Sequence, residues 1–198
     1  MNPPASSGLP QARCLVIIGA STGGTRAVTE IIQSLPRLPA SILIVQHMPK
    51  YINASLVRSL SQCAAAPVRL VQDGDSLEEG KIFLAPSEVH CRIVNNRTCC
   101  LTPGGRVNYV CPSIDVTMTS LRPPVSGQRL IGVILTGMGK DGAAGLAHMK
   151  RLGSLTIAQN EATCAVYGMP AEAVRLGCVD RVLPPKQIAL ELVRGTAS

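Results

Sequence analysis

The sequence predicts an α/β fold: a single domain with a largely parallel central sheet flanked by helices, and a short antiparallel hairpin region in the middle. Three observations point there. Short apolar runs alternate with helical patterns along most of the 198 residues, the rhythm of β-α units joined by right-handed crossovers. Apolar residues make up 46% and aromatics 2%, with no Trp and one Phe, so the core must be Val, Ile, Leu, Ala and Met, the composition of strands buried on both faces. The length fits one hydrophobic core, which at this size buries roughly 70% of the surface the unfolded chain exposes and needs neither disulfide nor metal.

Residues 1–12 are rich in Pro and Ser without periodicity and read as a disordered arm or the remnant of a linker, with 13–198 as the folded domain. The arm lacks the apolar core of a secretory signal, so the expected compartment is the cytoplasm and the eight cysteines are expected to be reduced. The first strand is CLVIIGA, from Cys14, followed by the helix RAVTEIIQSL; ASILIVQHM is the second strand and NASLVRSLSQCA its helix. From Val68 to Tyr109 the pattern changes. VRLVQDG, KIFLAP, CRIVNN and TCCLTPGG are short runs between turn residues, which suit hairpins or edge strands more than crossovers. The α/β rhythm then returns with the helix SIDVTMTSLRP, the buried strand RLIGVILTG and the helix DGAAGLAHMKRLG, which Gly153 ends. SLTIAQ is a further strand and MPAEAVRLG a further helix, with Pro170 in its first turn and Gly177 at its stop; CVDRVLPP and KQIALELVRG close the chain.

Composition excludes several classes of function. The net charge of +7 comes from scattered Lys and Arg with no run of five and few aromatics, which argues against nucleic acid and for a solvated basic surface or an acidic protein partner. Cys91, Cys99, Cys100 and Cys111 form no C-x-x-C pair, and Asp73, Asp75, Glu78 and Glu79 lack calcium-loop spacing, so no metal and no cofactor is expected. No apolar stretch reaches the ~18 residues of a membrane span.

Chemistry concentrates at strand ends. In GASTGG, Ser21 lies between Gly19 and Gly23 at a turn from strand to helix, which lifts its hydroxyl above the sheet edge. Backbone N–H groups at the helix start can hold an oxyanion or a phosphate equally well, so the motif alone leaves nucleophile and phosphate cradle both open. A nucleophile needs a base. His47 ends the second strand on the same edge, whereas His148 sits within a helix and His90 in the hairpin region, where a surface imidazole is the simpler account. Asp141 follows RLIGVIL through the loop TGMGKDG. Taken singly, a helix N-cap explains it as well as catalysis does; taken with Ser21 and His47, a triad is the better account.

GASTGG, IVQHMP, ILTGMGKDGAAG and AQNEATCAVYGMP, in this order and spacing, resemble the catalytic domain of the chemotaxis-receptor protein-glutamate methylesterases, the CheB family, over about Cys14 to Gly195. The resemblance implies a Ser-His-Asp triad at Ser21, His47 and Asp141, with oxyanion or positioning contacts from Met138 and Thr22. It implies hydrolysis of glutamate γ-methyl esters on chemoreceptor cytoplasmic helices with release of methanol, accompanied in many members by glutamine deamidation. Family members usually carry a receiver domain before the catalytic one, which this chain does not include. Two further departures touch the substrate side: Val110 and Cys111 replace the usual His-Arg, and KYINASL lacks the usual Phe. The alternative to an esterase is a regulatory or binding module of the same fold with a non-receptor partner.

Overall fold

The computed structural model describes residues 12–125 and 127–197. The arm proposed for the first twelve residues lies outside the described residues except for Ala12, which is buried and whose carbonyl accepts from Gln128 Nε2 at 3.5 Å. β1 (Cys14–Ala20) is buried at every position and forms the middle of a parallel sheet. On one side it pairs with β2 (Ser41–Gln46), which pairs with β4 (Lys81–Leu84) and, beyond it, the edge strand β3 (Val68–Leu70). On its other side stand β7 (Arg129–Ile134), β8 (Leu155–Gln159) and β9 (Arg181–Leu183). Among the described residues the order is therefore β3-β4-β2-β1-β7-β8-β9, all parallel. The separate hairpin is β5 (His90–Val94) with β6 (Thr98–Thr102), antiparallel.

KIFL thus belongs to the interior of the main sheet and is neither a hairpin strand nor an edge strand, whereas VRL does form an edge. Its neighbours in sequence are turns, but Ile82, Phe83 and Leu84 are all buried, as an interior parallel strand requires. Helices cover both faces. α1 (Gly24–Gln33), α2 (Asn53–Cys63) and α6 (Pro185–Ala197) pack on the face that carries Val16, Ile18 and Ile44. α3 (Ile114–Thr119), α4 (Ala143–Arg151), α5 (Met169–Arg175) and the hairpin cover Leu15, Ile17, Leu43 and Phe83. Each large aliphatic side chain buried in these layers is worth about 1.5–3 kcal/mol, which is how a chain so poor in aromatics builds its core.

The topology positions a site. From β1 the chain runs outward through β2 and β4, then returns to the other flank of β1 with β7. Where strand order reverses in this way, the loops leaving the carboxyl ends diverge and open a crevice. No helix among the described residues is long and apolar enough to cross a membrane.

Candidate active site

Ser21, His47 and Asp141 follow β1, β2 and β7, three adjacent strands, at their carboxyl ends. Register brings the first two together: Ala20 pairs with Gln46, and the His47 N–H donates to the Ala20 carbonyl at 2.9 Å. The Ser21 N–H donates to Thr136 O at 3.0 Å, tying the serine to the strand that leads to Asp141. Of the three glycines around Ser21, Gly23 takes a left-handed φ of 77°, while Gly19 and Gly24 supply room. A Cβ on Gly19 would meet Ile114 Cγ2 at 2.5 Å, and one on Gly24 would meet Gln46 Oε1 at 2.4 Å.

His47 Nε2 and Asp141 Oδ2 are 2.9 Å apart. The carboxylate is 3% exposed and takes four more donors. Oδ2 accepts from the Ile114 N–H at 2.7 Å, while Oδ1 accepts from Ser113 Oγ at 2.7 Å, Asn108 Nδ2 at 2.9 Å and the Asp115 N–H at 3.3 Å. Burial alone would raise its pKa, but the hydrogen bonds from His47, Ser113, Asn108 and Ile114 hold it below the ordinary value, so it is an anion at neutral pH. Asp141 does not cap the helix that follows it. Gly142, in a left-handed conformation, occupies that N-cap, and the Asp141 side chain instead meets the first N–H groups of α3. Among the described residues the Ser21 hydroxyl makes no hydrogen bond to His47; such bonds tighten when substrate arrives.

Asp115 stands beside this anion. Burial and the Asp141 charge raise its pKa, against hydrogen bonds from the Gly145 N–H and Asn108 that lower it. Asn108 Nδ2 bridges the two carboxylates, 2.8 Å from Asp115 Oδ2 and 2.9 Å from Asp141 Oδ1. It does so from a two-residue turn in which Val107 and Val110 exchange backbone hydrogen bonds, and Asn108 and Tyr109 take φ of 52° and 66°.

Three functional residues escaped the sequence reasoning: Asn108, Ser113 and Gln46. Gln46 is 2% exposed and its Nε2 donates to both Ser21 O and His47 O at 2.9 Å, strapping the two strand ends together. His90 is also not the surface imidazole its position suggested. It is buried, with Nδ1 accepting from the Ser113 N–H at 3.1 Å and Nε2 donating to Gly105 O at 2.9 Å, and it supports the segment that holds Asp141. His148, in α4, is half-buried with Nε2 3.0 Å from Leu121 O.

The two predicted oxyanion contacts flank the serine. Thr22 follows Ser21, and its carbonyl accepts from Thr136 Oγ1 at 2.9 Å. Met138 follows Gly137, whose Cα lies so close to the serine that an added Cβ would meet Ser21 Cβ at 2.6 Å. Among the described residues the N–H groups of Thr22 and Met138 make no hydrogen bond to protein and are free to donate elsewhere. An anion-held imidazole beside a serine with unspent backbone donors suits acyl transfer.

Known proteins are similar to this chain over most of its length. The family model described as CheB methylesterase matches residues 16–192. A protein-glutamate methylesterase/protein-glutamine glutaminase of Bordetella parapertussis is 47% identical over 179 residues, covering 88% of this chain and 51% of the relative. One of the same description from Symbiobacterium thermophilum is 44% identical over 183 residues, covering 92% and 50%. The solved CheB methylesterase catalytic domain of Thermotoga maritima matches with a TM-score of 0.83 at 35% identity, over 91% of this chain and 97% of that one. The chain thus spans about half the length of the curated relatives it matches.

Proposed function

The chain belongs to the CheB methylesterase family, and from that premise we propose that residues 13–198 form a catalytic domain that hydrolyses glutamate γ-methyl esters on chemoreceptor cytoplasmic helices. The observation that carries this reading is the buried His47–Asp141 pair beside Ser21, at the crevice of the sheet. Ser21 is the nucleophile, His47 the general base and Asp141 the orienting anion.

The tautomer follows from the contact. Asp141 accepts at Nε2, so the proton of neutral imidazole is held there, and Nδ1 carries the lone pair that takes the Ser21 proton. Ser21 Oγ bonds to the ester carbonyl carbon, and negative charge develops on the carbonyl oxygen. The N–H groups of Met138 and Thr22 are the donors for that oxygen, each worth about 3 kcal/mol in the transition state. As the intermediate collapses, the C–OCH3 bond breaks and the Nδ1 proton passes to the leaving oxygen, giving methanol and an acyl-serine. Water, deprotonated by Nδ1, attacks the acyl carbon, and Ser21 Oγ leaves with that proton. The product is the glutamate carboxylic acid, which loses its proton to solvent at neutral pH to give the carboxylate. A primary amide follows the same course with ammonia as leaving group, which makes glutamine deamidation part of the proposal. A receiver domain is a further proposed partner.

Methanol release from methylated receptor membranes tests the reading. Wild type is expected to release methanol and Ser21→Ala to lose the activity; equal rates in the two would refute it.

A further inference from the structure

Aromatic side chains are scarce in this chain: three Tyr and one Phe. Phe83 is buried in the core, while all three tyrosines lie on the loops that surround Ser21, His47 and Asp141. Tyr51 is in the 3-10 turn Lys50–Ile52, shortly after His47, and is 80% exposed. Tyr109 adjoins Asn108, whose amide holds Asp141, and is 91% exposed. Tyr167 is bridged to Gly137, whose Cα lies against Ser21, and Met138, next in that loop, is 72% exposed.

Stability does not explain the placement of Tyr51 and Tyr109, because an aromatic ring contributes to a fold by leaving water and these two rings remain in it, whereas Tyr167 is half-buried. Tyr109 goes further against stability. It holds a φ of 66°, a conformation that glycine adopts freely and a bulky side chain does not, in a turn that the Val107–Val110 pair and the Asn108 bridge keep closed. Cations share these loops: Lys50, Arg106 and Lys140 are exposed. Anions share them too: Glu88 is 3.5 Å from Lys50, Glu172 faces Lys140, and Glu161 is near Tyr167. Amphipathic rings with cations at a rim are the makings of a protein-docking surface.

Accepting the esterase reading above, we propose that Tyr51, Tyr109, Tyr167 and Met138 are the docking rim for the protein segment around the glutamate ester. That segment presents apolar side chains to the exposed rings and to Met138. The side chains of the rim set affinity for the protein substrate, and those of the three tyrosines leave the chemistry of a small ester untouched.

The test uses two probes: a methylated chemoreceptor cytoplasmic fragment, and N-acetyl-glutamate γ-methyl ester amide. Tyr109→Gly releases the left-handed strain, so its melting temperature is expected to stay level or rise. In the inactive Ser21→Ala background its Kd for the fragment is expected to weaken about fivefold or more. With Ser21 present, its hydrolysis of the small ester is expected to match wild type, and Tyr109→Phe is expected to keep most of the affinity. An unchanged Kd, absence of fragment binding by the parent, or an equal loss on the small ester would each overturn the rim. Tyr109-dependent binding by a protein that hydrolyses neither probe would uphold the rim and refute the esterase reading.

Discussion

Replacing Asp141 with Asn changes one atom and removes one charge, and the structure says what each costs. The carboxylate accepts from five groups, two at Oδ2 and three at Oδ1. An amide accepts at one end only, so its oxygen is expected to stay with Ser113, Asn108 and the Asp115 N–H, and its NH2 to take the place of Oδ2. There it faces the Ile114 N–H, a backbone donor that cannot turn away, and an unsatisfied buried donor costs about 1–3 kcal/mol of stability. It also donates to His47 Nε2, which drives the imidazole proton to Nδ1 and removes the lone pair that takes the serine proton. The equivalent swap in a serine-protease triad costs about 10^4 in kcat, or about 5 kcal/mol of transition-state stabilisation. Asp141→Asn is therefore expected to lower kcat for methanol release by about that factor, with little change in KM, and to unfold at a lower temperature. A kcat within tenfold of wild type would refute the tautomer argument. A full loss of activity with no loss of stability would refute the hydrogen-bond accounting.

The remaining predictions probe the surroundings of that anion. Because the folded-state pKa of Asp141 lies below its unfolded value, its stabilising contribution is complete above the unfolded pKa of about 3.9 and is lost as pH falls through the lower folded value. Thermal melts should show the gap between wild type and Asp141→Asn constant near neutrality and closing in acid; a gap that widens in acid would contradict the sign. Gln46→Met keeps the bulk but removes both bonds of the strap, and is expected to cost about 1–3 kcal/mol in denaturant unfolding together with a fall in kcat. An unchanged kcat would leave Gln46 a purely structural residue. Gly137→Ala drives a methyl into Ser21 Cβ and Met169, so methanol release should fall. Gly139→Ala meets nothing within 4 Å and should cost only the strain of its φ of 87°, about 1 kcal/mol, with kcat kept.

Much of this arrangement was legible in the sequence because parallel strands announce themselves. The runs ending at Ala20, Gln46 and Ile134 are long, apolar and β-branched, so Ser21, His47 and Asp141 could be put on one edge from chain order alone. The supports of the anion left no such trace. Asn108 stands in a turn 33 residues before Asp141 and Ser113 at the start of a helix 28 residues before it; nothing in either segment marks a partner for a distant carboxylate, and only the tertiary fold brings them to it. Gln46 reads as the polar end of a strand; its strap needs the neighbouring strand in register before it exists. His90 looked exposed because hairpins usually are, yet this hairpin packs on the sheet and carries the imidazole inward. KIFL was misplaced for a related reason: turns on both sides suggested a hairpin, although the unbroken apolar run was the signature of an interior strand.

The central claim is that Ser21 carries the acyl group. Treatment with a fluorophosphonate, followed by peptide mapping in a mass spectrometer, tests it directly: the account predicts a single adduct on Ser21, abolished in Ser21→Ala and slowed in His47→Ala. An adduct on any other residue, or methanol release that continues in protein carrying the adduct on Ser21, would contradict it.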